Sequence, residues 1–195
     1  MFELPTSIQI DGQSYNIRNK GDYRTIIDCF SALQDVELSK TERVYASLII
    51  FYEDVNDIED IALLFGDNVT EAVEKMYSFF NCNQPQEDTP TSHYNLVDWD
   101  KDSMIISSAV NQVAGKEIRS EEYIHWWTFM GYYIAVKDSL LNTVICIRYK
   151  MAKGKSLEKH ERRFVAENPQ YFQIDVRSTE EKENDMYIKN IWNVS

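Results

Sequence analysis

Ser7-Ile8-Gln9-Ile10-Asp11-Gly12-Gln13-Ser14-Tyr15-Asn16-Ile17 alternates apolar and polar residues on either side of an Asp-Gly pair. Two alternating runs joined by Asp-Gly predict a β-hairpin, because both turn positions need positive φ. A lone hairpin is marginal in water, so its apolar face needs something to lie on. The chain supplies it at once, since the apolar period changes from two to 3.6. Asp22 stands before Ile26, Ile27, Phe30 and Leu33 at helical spacing, with Gly21 just outside. Ser39-Lys40-Thr41-Glu42 is a capping box for a second helix through Leu48 and Tyr52. Asp57 opens a short third helix closed by Gly66, and a fourth begins near Asn68 or Thr70 and ends at Asn81-Cys82-Asn83. The fold class is therefore mainly α, with an N-terminal hairpin packed on short helices and a second helical part after it.

Residues 83–92 contain no apolar side chain and two prolines, which marks a linker over 83–93. The expected organisation is a hairpin-plus-helices lobe over 1–82, an aromatic-rich helical lobe over 94–173, and a tail over 174–195 that is disordered by composition. The charge is uneven. Before residue 98 there are 6 Lys and Arg against 17 Asp and Glu, whereas from there on there are 14 against 15. Of the net charge of −12, −11 thus lies before residue 98, and the acid excess opposes affinity for nucleic-acid backbones or anionic membranes.

In the second part a helix is expected over Trp99–Ala114, with Met104, Ile105, Ala109 and Val113 on its inner face and Gly115 closing it. Ser120 is read as the cap of the next, whose Trp126, Trp127, Phe129, Tyr132 and Tyr133 leave no polar face. Such a helix is either central in the core or a contact surface. Leu140–Met151 reads as helix rather than strand from its length, and Ser156 as the cap of a charged helix stopping before Asn168-Pro169. Ile188 and Trp192 are apolar residues that a solvated tail does not need, and they either dock back on the body or meet a partner.

No arrangement points to catalysis. Gly154-Lys155-Ser156 resembles the end of a phosphate loop, but Tyr149 stands where its first glycine belongs. Glu122 and His125 have metal-ligand spacing on a helix without the second pair a di-iron bundle requires. Cys82 and His93 likewise lack the partners of a zinc site. Three widely spaced cysteines suit buried reduced thiols. The cationic run Arg148, Lys150, Lys153, Lys155, Lys159, Arg162 and Arg163 reads as a solvated face. Neither a signal peptide nor an 18-residue apolar stretch is seen, so a cytoplasmic location is expected. The expectation is a non-enzymatic binding protein with no cofactor or metal, and with Trp126, Trp127, Phe129, Tyr132, Tyr133, Ile188 and Trp192 as candidate protein contacts.

Leu4-Pro5-Thr6-Ser7-Ile8, Asp22-Tyr23-Arg24, Phe79-Phe80-Asn81-Cys82, the segment from Tyr94 to Ile106, Tyr123-Ile124-His125-Trp126-Trp127-Thr128-Phe129 and Ile145-Cys146-Ile147-Arg148-Tyr149-Lys150 together resemble one family. It is the phage Gp15 type of small tail-module protein, encoded just before the tape measure in siphophages and prophages of Gram-positive hosts. The resemblance spans roughly residues 4–167. It implies a tail assembly chaperone in the host bacterial cytoplasm, binding the tape measure protein or other tail proteins, with self-association allowed. No binding residues transfer with it. A structural tail or virion component is the alternative, and an acidic decoy for a host DNA-binding protein a further one.

Overall fold

The computed structural model describes residues 3–35, 37–84 and 96–173. Strands β1 (Ser7–Ile10) and β2 (Gln13–Asn16) pair antiparallel with Ile8 opposite Tyr15. Asp11 and Gly12 at φ 46° and 76° make the turn. This is the primed geometry whose twist matches the strands it joins. Helices follow: α1 (Tyr23–Gln34), α2 (Lys40–Phe51), α3 (Ile58–Phe65), α4 (Val69–Phe80), α5 (Ser103–Ala114), α6 (Trp126–Ala135), α7 (Leu140–Ala152) and α8 (Lys159–Glu167). The protein is mainly α with a two-stranded N-terminal hairpin.

Several caps are those the sequence announces. Asp22 accepts from the Arg24 N–H and Asp57 from the Asp60 N–H, while Ser39 and Glu42 form both halves of the capping box. Each satisfies backbone donors that a helix start leaves orphaned.

The chain divides into two compact units, and they do not follow the division expected at the proline-containing segment. Unit 1 comprises residues 1–89 and 118–134; unit 2 comprises 90–117 and 135–195. The aromatic stretch expected in the second lobe thus belongs largely to the first. The expected linker over 83–93 lies mostly outside the described residues, as does the whole tail over 174–195.

Unit 1 is built on rings. Ile8, Ile10 and Tyr15 turn one hairpin face inward, and Tyr15 lies 5.0 Å from Phe65 and 6.3 Å from Tyr52, centre to centre. Phe51 meets Phe79 and Phe80 edge-on, and Tyr23 stacks on Phe129 at 4.7 Å. Offset and edge-on pairs of this kind add to plain apolar burial. The C-terminal end of α2 is closed by Arg18, whose Nη2 donates to the carbonyls of Ile49, Tyr52 and Val55. Gly21 sits at φ +75°, where a Cβ would lie 2.8 Å from Phe79 Cζ and 3.3 Å from His125 Nε2. Gly21→Ala combines left-handed strain with a clash against a buried ring. It should cost about 1–3 kcal/mol, read as a lowered denaturant midpoint. An unchanged midpoint would refute that.

Three helix starts depart from expectation, two because a distant or turn-forming partner takes the backbone and one because a neighbouring residue makes the cap. Residues 121–125 are not helical: the Ile124 N–H donates to Asp22 Oδ2, the Tyr23 N–H donates to the Ile124 carbonyl, and Arg24 Nη2 donates to the Glu121 carbonyl. The helix therefore starts at Trp126 rather than after Ser120. Before α5, the Asp102 N–H donates to the Asp98 carbonyl and the Lys101 N–H to Asp98 Oδ1. That turn holds Trp99–Asp102 out of the helix. Last, Glu158 and Glu161 form the capping box of α8, in place of Ser156.

Unit 2 packs α5, α7 and the segment after α8 around an ion pair. Arg148 on α7 meets Asp102 through two hydrogen bonds, Nη1 to Oδ2 at 2.5 Å and Nη2 to Oδ1 at 2.8 Å. Both side chains are 1% exposed. The guanidinium also donates to the carbonyls of Leu96 and Tyr171. One cation thereby ties four stretches of chain together. Ile105, Ile106, Ala109 and Val110 form the buried face of α5, with Leu141, Val144 and Ile147 inward on α7.

Candidate functional site

The aromatic helix α6 resolves the choice between core and contact surface residue by residue. Trp126 and Phe129 are each 1% exposed. Trp126 stacks on Phe129, with Phe30 at 5.7 Å. Its Nε1 donates to the Phe80 carbonyl, and the Trp127 Nε1 to that of Phe79, both at 2.9 Å. The paired indoles thus serve carbonyls at the C-terminal end of α4, groups that a helix end otherwise leaves to water. Of the candidate contacts, Trp126 and Phe129 are thus buried inside unit 1. Trp127, Tyr132 and Tyr133 are half-buried and keep partial access, while Ile188 and Trp192 lie outside the described residues.

His125 caps this helix. Its Nδ1 accepts from the Trp127 N–H and its Nε2 lies 3.0 Å from the Pro5 carbonyl. These partners fix the neutral ring with the proton on Nε2, donating to Pro5. Desolvation by burial lowers its pKa below the ordinary 6.5. An unfolded chain therefore takes up the proton at higher pH than the folded one does. The contribution of His125 to stability is fully present above pH 6.5 and falls as pH drops through the window beneath it. His125→Asn, which keeps a capping acceptor and loses the proton site, should flatten that slope when urea midpoints at about pH 7.5 and about pH 5 are compared. An unaltered slope would show that another group is responsible.

The motifs read as chemistry have structural employment. With residues 121–125 outside any helix, Glu122 and His125 do not share a helix face. Among the described residues no group of three or more His, Cys, Asp or Glu side chains is placed to hold a metal ion. Gly154, at φ +62°, closes α7, and the amine nitrogens of Lys153 and Lys155 lie 5.7 and 5.6 Å from the centre of the Tyr149 ring. His93 lies outside the described residues. Among those residues no helix is long and apolar enough to cross a membrane.

Exposed apolar side chains sit elsewhere. In unit 1, Leu63 and Ile134 are 81% and 72% exposed. In unit 2 a groove of about 300 Å³ runs between α5 and the start of α7. Ile105 and Ala109 are its buried apolar residues, Met104, Leu140 and Tyr171 also line it, and Ser108, Gln112, Asp138 and Ser139 supply polar groups. Met104 is 73% and Leu140 41% exposed. The sequence pattern puts Met104 and Val113 inward, whereas the buried face of α5 is turned toward Ile106 and Val110. The consecutive apolar pairs 105/106 and 109/110, spaced by four, are the signal that fits the observed face. A second hollow of about 440 Å³ lies between α7 and α8, lined by Cys146, Ile147 and Phe164 among others. Its neighbour Glu161 has its pKa lowered chiefly by the hydrogen bond from Lys150.

Comparison with known proteins gives one result. The family model described as Bacteriophage Gp15 protein matches residues 1–174. No curated protein and no solved structure matches the chain.

Proposed function

The chain belongs to the bacteriophage Gp15 protein family, and on that premise we propose that it is a tail assembly chaperone, a non-enzymatic protein that binds the tape measure protein in the host cytoplasm and keeps it soluble until the tube forms. The observation that carries the reading is the groove of unit 2, where Met104 and Leu140 stand in solvent beside the buried Ile105 and Ala109. An amphipathic helix presents apolar anchors at intervals of three and four, and an open apolar groove of this kind receives such anchors. The acidic excess before residue 98 supports the same role, since a strongly charged carrier keeps an apolar client from associating with its own kind.

Co-expression with the tape measure protein of the same phage tests it. The client should become soluble and co-purify. Met104→Glu combined with Leu140→Glu should lower the recovered complex about tenfold or more while leaving the fold intact, because each change sets a charge in the apolar seat. A client that stays insoluble, with no complex recovered, would overturn the reading. Stoichiometric presence of the protein in purified virions would favour a structural tail component instead.

A further inference from the structure

We propose that the apolar end of the chain, Tyr187, Ile188, Ile191 and Trp192, docks within the same molecule into the groove between α5 and the start of α7. Three observations meet there. The groove holds the buried apolar residues Ile105 and Ala109 and leaves Met104 73% exposed. Tyr171 is one of its walls, and the described chain ends two residues further on, at Gln173. The last described residue thus follows a groove wall by two positions in the chain. The twelve from 174 to 185 span up to about 40 Å when extended, more than a groove with a wall so near in the chain requires.

The third observation is the pattern of the segment. Tyr187, Ile188, Ile191 and Trp192 fall at positions one, two, five and six of a run, which is a single face of a helix. Five residues of the preceding spacer, Asp175, Glu180, Glu181, Glu183 and Asp185, are acidic against two basic ones, Arg177 and Lys182, and Lys153, Lys155, Lys159, Arg162 and Arg163 of the same unit are basic. A tethered segment meets its site at an effective concentration of about millimolar, so a modest contact suffices to fill the groove. Where the tape measure uses the same seat, the segment is its competitor, a consequence that rests on the chaperone reading; the docking itself does not.

Hydroxyl-radical footprinting of the full chain, read by mass spectrometry at Met104, tests the docking without any client. Ile188→Asp combined with Trp192→Asp removes the anchors. Met104 should oxidise several-fold faster in that variant than in the natural sequence, and a synthetic peptide of residues 183–195 added to the variant should restore protection. Equal rates in the two proteins, or no protection by the peptide, would overturn the proposal. Protection that disappears on dilution together with a dimer mass would assign the groove to a second copy and overturn docking within one chain. Because no tape measure protein is present, failure here leaves the co-expression result untouched.

Discussion

Arg148→Met is expected to destabilise the protein by about 3–5 kcal/mol, a large part of the 5–15 kcal/mol that holds a typical domain folded. The cause is what the substitution leaves behind. Asp102 is 1% exposed, and without the guanidinium its carboxylate keeps the Asp98 N–H, 3.0 Å from Oδ2, among the described residues. The carbonyls of Leu96 and Tyr171 lose their donors at the same time. A charge stripped of its partner in the interior costs far more than the pair contributes over apolar residues of equal size. Arg148→Lys should be intermediate, since one ammonium cannot reproduce the fork that meets both carboxylate oxygens. Denaturant titration gives the loss, and hydrogen exchange at α5 and α7 amides should localise it to unit 2. The double change to Asp102→Ala and Arg148→Ala should cost less than the two singles added together. A loss below about 1 kcal/mol for Arg148→Met would mean that the ion pair is not the tie described.

Trp126→Ala is expected to cost about 3–5 kcal/mol in unit 1. The indole is 1% exposed and packs on Phe30 and Phe129, so its removal leaves a cavity that rings of fixed shape fill poorly. It also leaves the Phe80 carbonyl without its donor. Trp126→Phe separates the two effects, keeping most of the volume and losing the hydrogen bond, and should cost less. Tyr132→Ala and Tyr133→Ala, at half-buried positions, should cost less than Trp126→Ala in the same titration. If Trp126→Ala left stability unchanged while abolishing client binding, the residue would belong to a contact surface rather than to the core.

The contrast between legible and illegible features is clearest around α6. Ser120 followed by Glu121 and Glu122 has the local chemistry of a helix start, and that chemistry is real. It loses because Asp22, 102 residues earlier, captures the Ile124 N–H. His125, which the sequence places at metal-ligand spacing from Glu122, becomes the cap because its ring is held between the Trp127 N–H and the Pro5 carbonyl. The exposed rim of the candidate groove was hidden for a similar reason. Met104 and Leu140 are apolar residues on apolar helices, and which of several such residues faces solvent depends on where the neighbouring segments pack.

Taken alone, the sequence determined the hairpin turn at Asp11-Gly12, the caps at Asp22, Ser39 and Asp57, the end of α5 at Gly115, the mainly helical class and the kinship with a phage family. All but the last depend on interactions within about four residues, whose geometry is set by local φ, ψ and side-chain reach. Tertiary structure alone decided that residues 118–134 join unit 1, that two indoles close α4, that Arg148 and Asp102 form a buried pair, and that Met104 and Leu140 stay in solvent. Those outcomes depend on competition among partners far apart in the chain, where burial and polar satisfaction over the whole unit outweigh local preference.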